Sequence, residues 1–148
     1  MAFAPFSANA QTLWESATYG MSIDQVKAVQ PAAEPRENPE AAPDGAACSL
    51  RIASLNIGDA PFFVCFFFKD EKLVQVALGS NDKPKMSTAF ATILELNRRF
   101  GRKGAGGATG DGLIGQWSLD GGVSATMVWY DGLSGKPANL AINIRVAN

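Results

Sequence analysis

Between Pro61 and Leu78 the chain reads Pro-Phe-Phe-Val-Cys-Phe-Phe-Phe, then Lys-Asp-Glu-Lys, then Leu-Val-Gln-Val-Ala-Leu. Five of the nine phenylalanines fall between Phe62 and Phe68, and the second run alternates at Val74, Val76 and Leu78. Two apolar runs around a short polar break predict a β-hairpin. Both faces of its first strand are apolar, with Phe62, Val64, Phe66 and Phe68 on one and Phe63, Cys65 and Phe67 on the other. An antiparallel sheet normally keeps one face wet. This strand is therefore expected in the sheet interior, with its second face covered by a neighbouring segment, a subunit or a ligand.

The remaining elements follow from similar patterns. Ser22 with Gln25 three residues on makes a capping box, and Met21 with Val26 a hydrophobic staple, so a helix starts at Ile23. Pro31 cannot continue it, leaving about two turns held by Ile23, Val26 and Val29. Prolines 31, 35, 39 and 43 alternate with Glu34, Glu37, Glu40 and Asp44 across residues 30–47. That spacing forbids helix and favours an extended backbone, read either as an acidic excursion into solvent or as a strap along the sheet. Leu50 to Ile57 form a strand whose alternation slips near Ser54, which suggests a bulge.

A second helix is predicted with Ser87 or Thr88 as cap and a stripe of Met86, Phe90, Ile93, Leu94, Asn97 and Phe100, ending at Gly101. Residues 102–112 read as a polar, glycine-rich loop. Three strands complete the chain: Leu113 to Leu119, Val123 to Tyr130 and Leu140 to Val146. The order is helix and three strands, twice over, with Met21-Ser22 and Met86-Ser87 opening the two halves. The predicted class is α+β: an antiparallel sheet of about six strands with two helices packed on one face, and a possible αβββ duplication. Residues 14–148 are expected to form a single domain, with the Pro/Glu-rich insert at 30–47. Residues 1–13 are expected to be a leader remnant or a disordered N-terminus. Ala8-Asn9-Ala10 before Gln11 has the A-x-A form of a signal-peptidase site, so a periplasmic or secreted location is expected.

Composition narrows the chemistry. Thirteen basic and fourteen acidic side chains leave a net charge of −1, giving no overall field to recruit nucleic acid. No run approaches the roughly 20 apolar residues that span a bilayer, so no membrane span is expected. The chain has no histidine, the most frequent metal ligand and the usual side chain titrating near neutrality. No cofactor or metal is expected. Enzymatic routes then rest on carboxylates, of which Asp70, Glu71, Glu95, Asp111, Asp120 and Asp131 are candidates. Each sits where turn or surface propensity alone would put it, and no pair has a spacing that specifies acid and base roles. The glycine run from Gly104 to Gly110 lies beside Arg98, Arg99, Arg102 and Lys103 but follows a helix and opens a strand, the reverse of a phosphate loop. The basic cluster complements the helix dipole or marks an anionic partner site.

Cys48 and Cys65 form one disulfide or remain two buried thiols, and spacing does not choose between them. If their strands pair through the Gly58 turn, Cys65 faces a residue several positions after Cys48, too far for a bridge without a bulge. Alternation puts Trp117 and Trp129 on core-facing sides with Leu113, Leu119, Val123 and Met127. Opposite them lie Gln116, Thr126, Val128 and Tyr130, joined by Gln75, Asn143 and Arg145. This mixed polar and aromatic row has the composition of a protein-contact surface, or of an ordinary solvated sheet face.

Several stretches carry a resemblance: Tyr-Gly-Met-Ser-Ile-Asp-Gln-Val from Tyr19, Phe-Phe-Lys-Asp-Glu-Lys-Leu-Val from Phe67, Leu-Asn-Arg-Arg-Phe-Gly from Leu96, and the Trp117 strand before a final hairpin. Together they resemble small uncharacterised bacterial envelope proteins, similar in layout to the beta-lactamase inhibitor protein-like fold shared by small outer-membrane assembly lipoproteins. The resemblance implies a non-enzymatic protein-binding role, with another envelope protein or a second copy of the chain as partner. It assigns no site residues. A carrier of a small apolar ligand or lipid, held between the second Phe face and the proline segment, is the alternative, and a carboxylate hydrolase a third.

Overall fold

A computed structural model describes residues 11–39, 41–133 and 135–147. In chain order the elements are β1 (Thr12–Trp14), β2 (Ala17–Thr18), α1 (Ile23–Val29), β3 (Glu34–Pro35), β4 (Ala47–Ile57), β5 (Ala60–Lys69), β6 (Lys72–Ser80), α2 (Met86–Phe100), β7 (Ala105–Ala108), β8 (Gly112–Leu119), β9 (Val123–Tyr130) and β10 (Asn139–Val146). The leader segment expected at the N-terminus lies mostly outside the described residues. Thr12 and Leu13, expected with it, instead belong to β1, and Leu13 is buried.

The class is α+β with an antiparallel sheet, but the sheet is larger than the six strands expected. Eight strands pair in the order β3-β4-β5-β6-β10-β9-β8-β7, and β1 and β2 form a separate two-stranded sheet. The additional strands carry weak sequence signals. Glu34–Pro35 includes a proline, tolerated because β3 is an edge strand, and it pairs with Arg51 and Leu50. Ala105–Ala108 is Ala-Gly-Gly-Ala, read as a loop, yet it forms the opposite edge against Leu113 to Gln116. The strand order is symmetric about the β6–β10 pair, so α1 with β3 to β6 and α2 with β7 to β10 trace the same path from opposite edges.

One apolar cluster fills the helix side of the sheet. It contains Val26 of α1, Ala89 and Leu96 of α2, and the inward residues of every long strand, among them Phe62, Phe66, Leu78, Met127 and Ile142. The cap of α1 forms as expected: the Gln25 amide donates to the Ser22 hydroxyl at 3.2 Å and the Ser22 amide to the Gln25 side chain at 2.9 Å. For α2 the expected stripe is met in part: Ile93 and Phe100 pack against the core and Asn97 is half-buried, but the buried centre of the helix lies beside the stripe. Ala89, Thr92 and Leu96 are buried, while Met86, Phe90 and Leu94 are exposed. Small residues let the helix backbone approach the sheet, and the Thr92 hydroxyl is satisfied by the Thr88 carbonyl at 2.8 Å. The N-cap also moves, from Ser87 or Thr88 to Lys85, whose amide donates to the Thr88 hydroxyl at 3.3 Å. At the other end Gly101 takes the left-handed conformation (φ 67°), and the Gly101 and Arg102 amides bond the Arg98 and Asn97 carbonyls, the Schellman arrangement.

β5 lies inside the sheet between β4 and β6, and the chain's own neighbours cover its second face at Phe63 and Cys65. The Arg51 guanidinium stands 4.5 Å from the Phe63 ring centroid. That ring also lies over Gly79, where an added Cβ would come within 2.4 Å of it. Cys65 is bonded to Cys48, their Cα atoms 5.4 Å apart. In register Cys65 faces Arg51, and a shift between Cys48 and Leu50 brings Cys48 back beside Phe67, diagonal to Cys65. The bulge that the bridge required is present at Ser49, in addition to the one expected near Ser54, which lies between Ile52 and Leu55.

Two stability measurements check this packing. A Cβ on Gly112 would lie 1.7 Å from the Trp129 carbonyl oxygen, so Gly112→Ala must spread β8 from β9 and is expected to lose about 3 kcal/mol in urea unfolding. Gly107→Ala, which meets nothing within 4 Å, should shift stability by no more than about 0.5 kcal/mol. The bridge closes a sequence separation of 17 residues, and reducing it is expected to lower the unfolding free energy by about 3 kcal/mol. An unchanged urea midpoint under reductant would remove the bridge from the stabilising contacts.

Candidate functional site

The register places all seven residues of the polar and aromatic row on the sheet face turned away from the helices. Gln116 pairs with Thr126, Thr126 with Asn143, and Asn143 with Ala77. The next row runs Ser124, Arg145 and Gln75. Val128 and Tyr130 follow at the other end of β9, opposite Ala141 and Asn139. The Gln75 amide donates to the Asn143 side-chain oxygen at 2.9 Å, fixing both across β6 and β10. Arg145 is exposed, with no ion-pair partner among the described residues. Lys136 sits 4.5 Å from the Tyr130 ring centroid. Along β6, β10, β9 and β8, the outward positions among the described residues carry charge only at Arg145 and, at the start of β6, Lys72, although 18% of the chain is charged.

The proline segment reaches this face. After β3, the Ala42 amide bonds the Ala46 carbonyl and the Asp44 carboxylate accepts from the Ala46 amide at 3.1 Å, closing a tight turn. Ala42, Pro43 and Asp44 form one wall of a cleft of about 490 Å³ whose other wall is Gln75, Ser124, Thr126, Asn143 and Arg145. The strap reading of residues 30–47 thus describes this turn better than an excursion into solvent does. Neither the turn nor Ser124 was singled out from sequence, because their proximity depends on a fold-back across several strands.

A second cleft, of about 460 Å³, opens where the β1–β2 hairpin meets the end of α2 and the β8–β9 turn. Arg99 lies 5.2 Å from the Trp14 ring centroid and pairs with Glu15 at 3.4 Å and Glu95 at 3.1 Å. Arg102 donates to the Ser118 carbonyl at 2.6 Å and to Asp120 at 3.0 Å. The sequence showed the arginines but not the Trp14 wall, which is 85 positions from Arg99 and has no local signal.

The candidate carboxylates have separate side-chain partners, although the Asp131 amide bonds the Asp111 carbonyl at 2.9 Å. Asp70 and Glu71 occupy the β5–β6 turn with positive φ, Glu95 pairs with Arg98 and Arg99, Asp120 with Arg102, and Asp111 with Lys136 at 3.3 Å. Asp131 accepts from the Leu133 amide at 2.8 Å. No family model matches this chain, and neither a curated protein nor a solved structure does.

Hydrogen bonding from Arg98, reinforced by Arg99, holds the Glu95 carboxyl at a pKa of about 2, against an ordinary value of 4.5 and despite an opposing contribution from burial. A depressed carboxylate stabilises the fold above its unfolded pKa and loses that contribution as pH falls through the folded value. Stability is therefore expected to fall between about pH 4.5 and pH 2. Glu95→Gln should flatten urea midpoints across that interval and leave their slope unchanged near neutrality.

Proposed function

We propose that the protein is an exported, non-enzymatic interaction module that presents the outer face of its sheet to another envelope protein or to a second copy of itself. The observation that carries this reading is the scarcity of charge among the central strand positions of that face. A sheet side exposed only to water accepts Lys and Glu freely, whereas interface cores are depleted of charge and enriched in Tyr and Arg. Here Gln75, Gln116, Thr126, Val128 and Asn143 surround Arg145, with Asp44 of the strap across the cleft from it and Lys136 over the Tyr130 ring at the other end. The turn of Ala42 to Asp44 adds relief to one end, giving a partner an edge to grip. The disulfide supports export, since such bonds persist in oxidising compartments.

The carrier alternative has less support. Phe63 is occupied by Arg51 and Gly79, and Cys65 by Cys48. The cleft beside the strap is walled by amide, hydroxyl and guanidinium groups, a poor match for a purely apolar ligand. Asp111 and Asp131 lie side by side, but one is held by Lys136 and the other by the Leu133 amide, which gives the hydrolase reading little support.

Tyr130→Ala combined with Arg145→Ala tests the interaction face. Truncating central aromatic and arginine anchors is expected to weaken association about tenfold or more, read by light scattering for a dimer or by recovery of the partner cross-linked in the native envelope. The melting temperature should change little. Association of unaltered strength would remove this face from consideration.

A further inference from the structure

We propose that the cleft between the β1–β2 hairpin and the end of α2 is a binding site for a small organic carboxylate with an apolar body, and that Glu15 and Asp120 occupy the arginines the ligand's carboxylate would engage. The site is separate from the sheet face, and its volume of about 460 Å³ falls in the range of small-molecule pockets. Leu13, Trp14, Phe100 and Leu119 supply apolar wall, and Arg99 and Arg102 stand among them. Apolar lining with a few convergent polar groups is the composition of a site for an amphipathic ligand. The guanidinium fork matches a planar carboxylate by two parallel hydrogen bonds.

Three further observations point the same way. Of the three tryptophans, Trp117 donates its indole N–H to Asn97 at 2.9 Å and Trp129 donates to the Pro84 carbonyl at 3.3 Å. The Trp14 N–H is buried without an acceptor, in a side chain that is 2% exposed and lies under Arg99. A buried donor without a partner is uncommon in native structures, and here it belongs to the wall of a cleft that holds two cations. Second, two of the three carboxylates now on those cations are loosely held, while Glu95 keeps its bond to the Arg99 Nε at 3.1 Å. The Asp120 side chain is 93% exposed and that of Glu15 52% exposed, and exposed ion pairs of this kind contribute little to stability. A carboxylate carried on an apolar body that fills the cleft would exchange for them at small loss. Third, Glu15 stands at the hairpin tip with a φ of 49°, the left-handed region that a glutamate rarely adopts. This conformation directs the hairpin tip to the rim beside Arg99, so the lip of the cleft is set by backbone geometry rather than by side-chain reach alone.

Titration of the full-length, disulfide-bonded protein with 3-phenylpropionate, followed by the indole N–H resonances in ¹⁵N–¹H correlation spectra, tests the site. The Trp14 resonance is identified by its loss in Trp14→Phe. It is expected to shift saturably while those of Trp117 and Trp129 stay in place. Arg102→Ala should weaken binding about tenfold. Asp120→Asn, which removes the internal competitor, should tighten it about threefold, an effect a merely structural ion pair would not produce. Equal shifts with the neutral 3-phenylpropanamide would overturn the proposal, as would a Trp14 shift with inorganic phosphate alone, undiminished binding in Arg102→Ala, or no Trp14 shift with the acid.

Discussion

Covering both faces of β5 is the constraint around which this fold is arranged. Phe62, Val64 and Phe66 meet the helix side, where the burial of each large side chain contributes on the order of 2 kcal/mol. Their neighbours Phe63, Cys65 and Phe67 point the other way, toward what would otherwise be water. The chain meets this locally. A guanidinium stacks on one ring, a glycine on the next strand makes room for that ring to lie flat, and a disulfide ties the middle residue to β4. Each solution depends on registry. Without the bulge at Ser49, Cys48 would be out of reach of Cys65; without Gly79, the Phe63 ring would have to stand off the sheet.

The same constraint explains why the outer face changes character across the sheet. On the β4–β5 side it carries sulfur, aromatic and arginine groups. From β6 onward it is small, polar and nearly uncharged, with the Gln75 to Asn143 hydrogen bond spanning the boundary between the two halves. The functional reading belongs to that second region, and the strap turn stands over it because β3 docks on the far edge of β4 and the chain must then double back. The cleft at the end of α2 arises separately, from a Schellman cap that releases Arg102 toward the β8–β9 turn and from a hairpin that brings Trp14 beneath Arg99.

Much of this was legible in the residues. The capping box at Ser22 and Gln25, the glycine end of α2, the hairpin after Phe68 and the alternation of β8 to β10 are local signals, and local signals survive folding. The outward set from Gln75 to Arg145 followed from alternation alone, because a period of two assigns faces wherever a strand is regular. The failures are non-local or energetic. Strands β3 and β7 have the composition of loops and exist because a neighbouring edge offers unpaired amides and carbonyls. The α2 stripe held at Ile93 and Phe100 but not at Met86, Phe90 and Leu94, because close approach to a sheet favours small residues such as Ala89 and Thr92. The two cleft walls meet only through tertiary structure, and no spacing in the chain announces them.

The placement of β10 has a bearing on biosynthesis. The last strand of the chain lies in the middle of the sheet, between β6 and β9. During synthesis the first half can collapse around its phenylalanines, but the free edge of β6 stays open until β10 has emerged. An open edge beside so apolar a strand is a template for intermolecular pairing. A nascent chain of this design gains from being held unfolded by a chaperone until β10 is available.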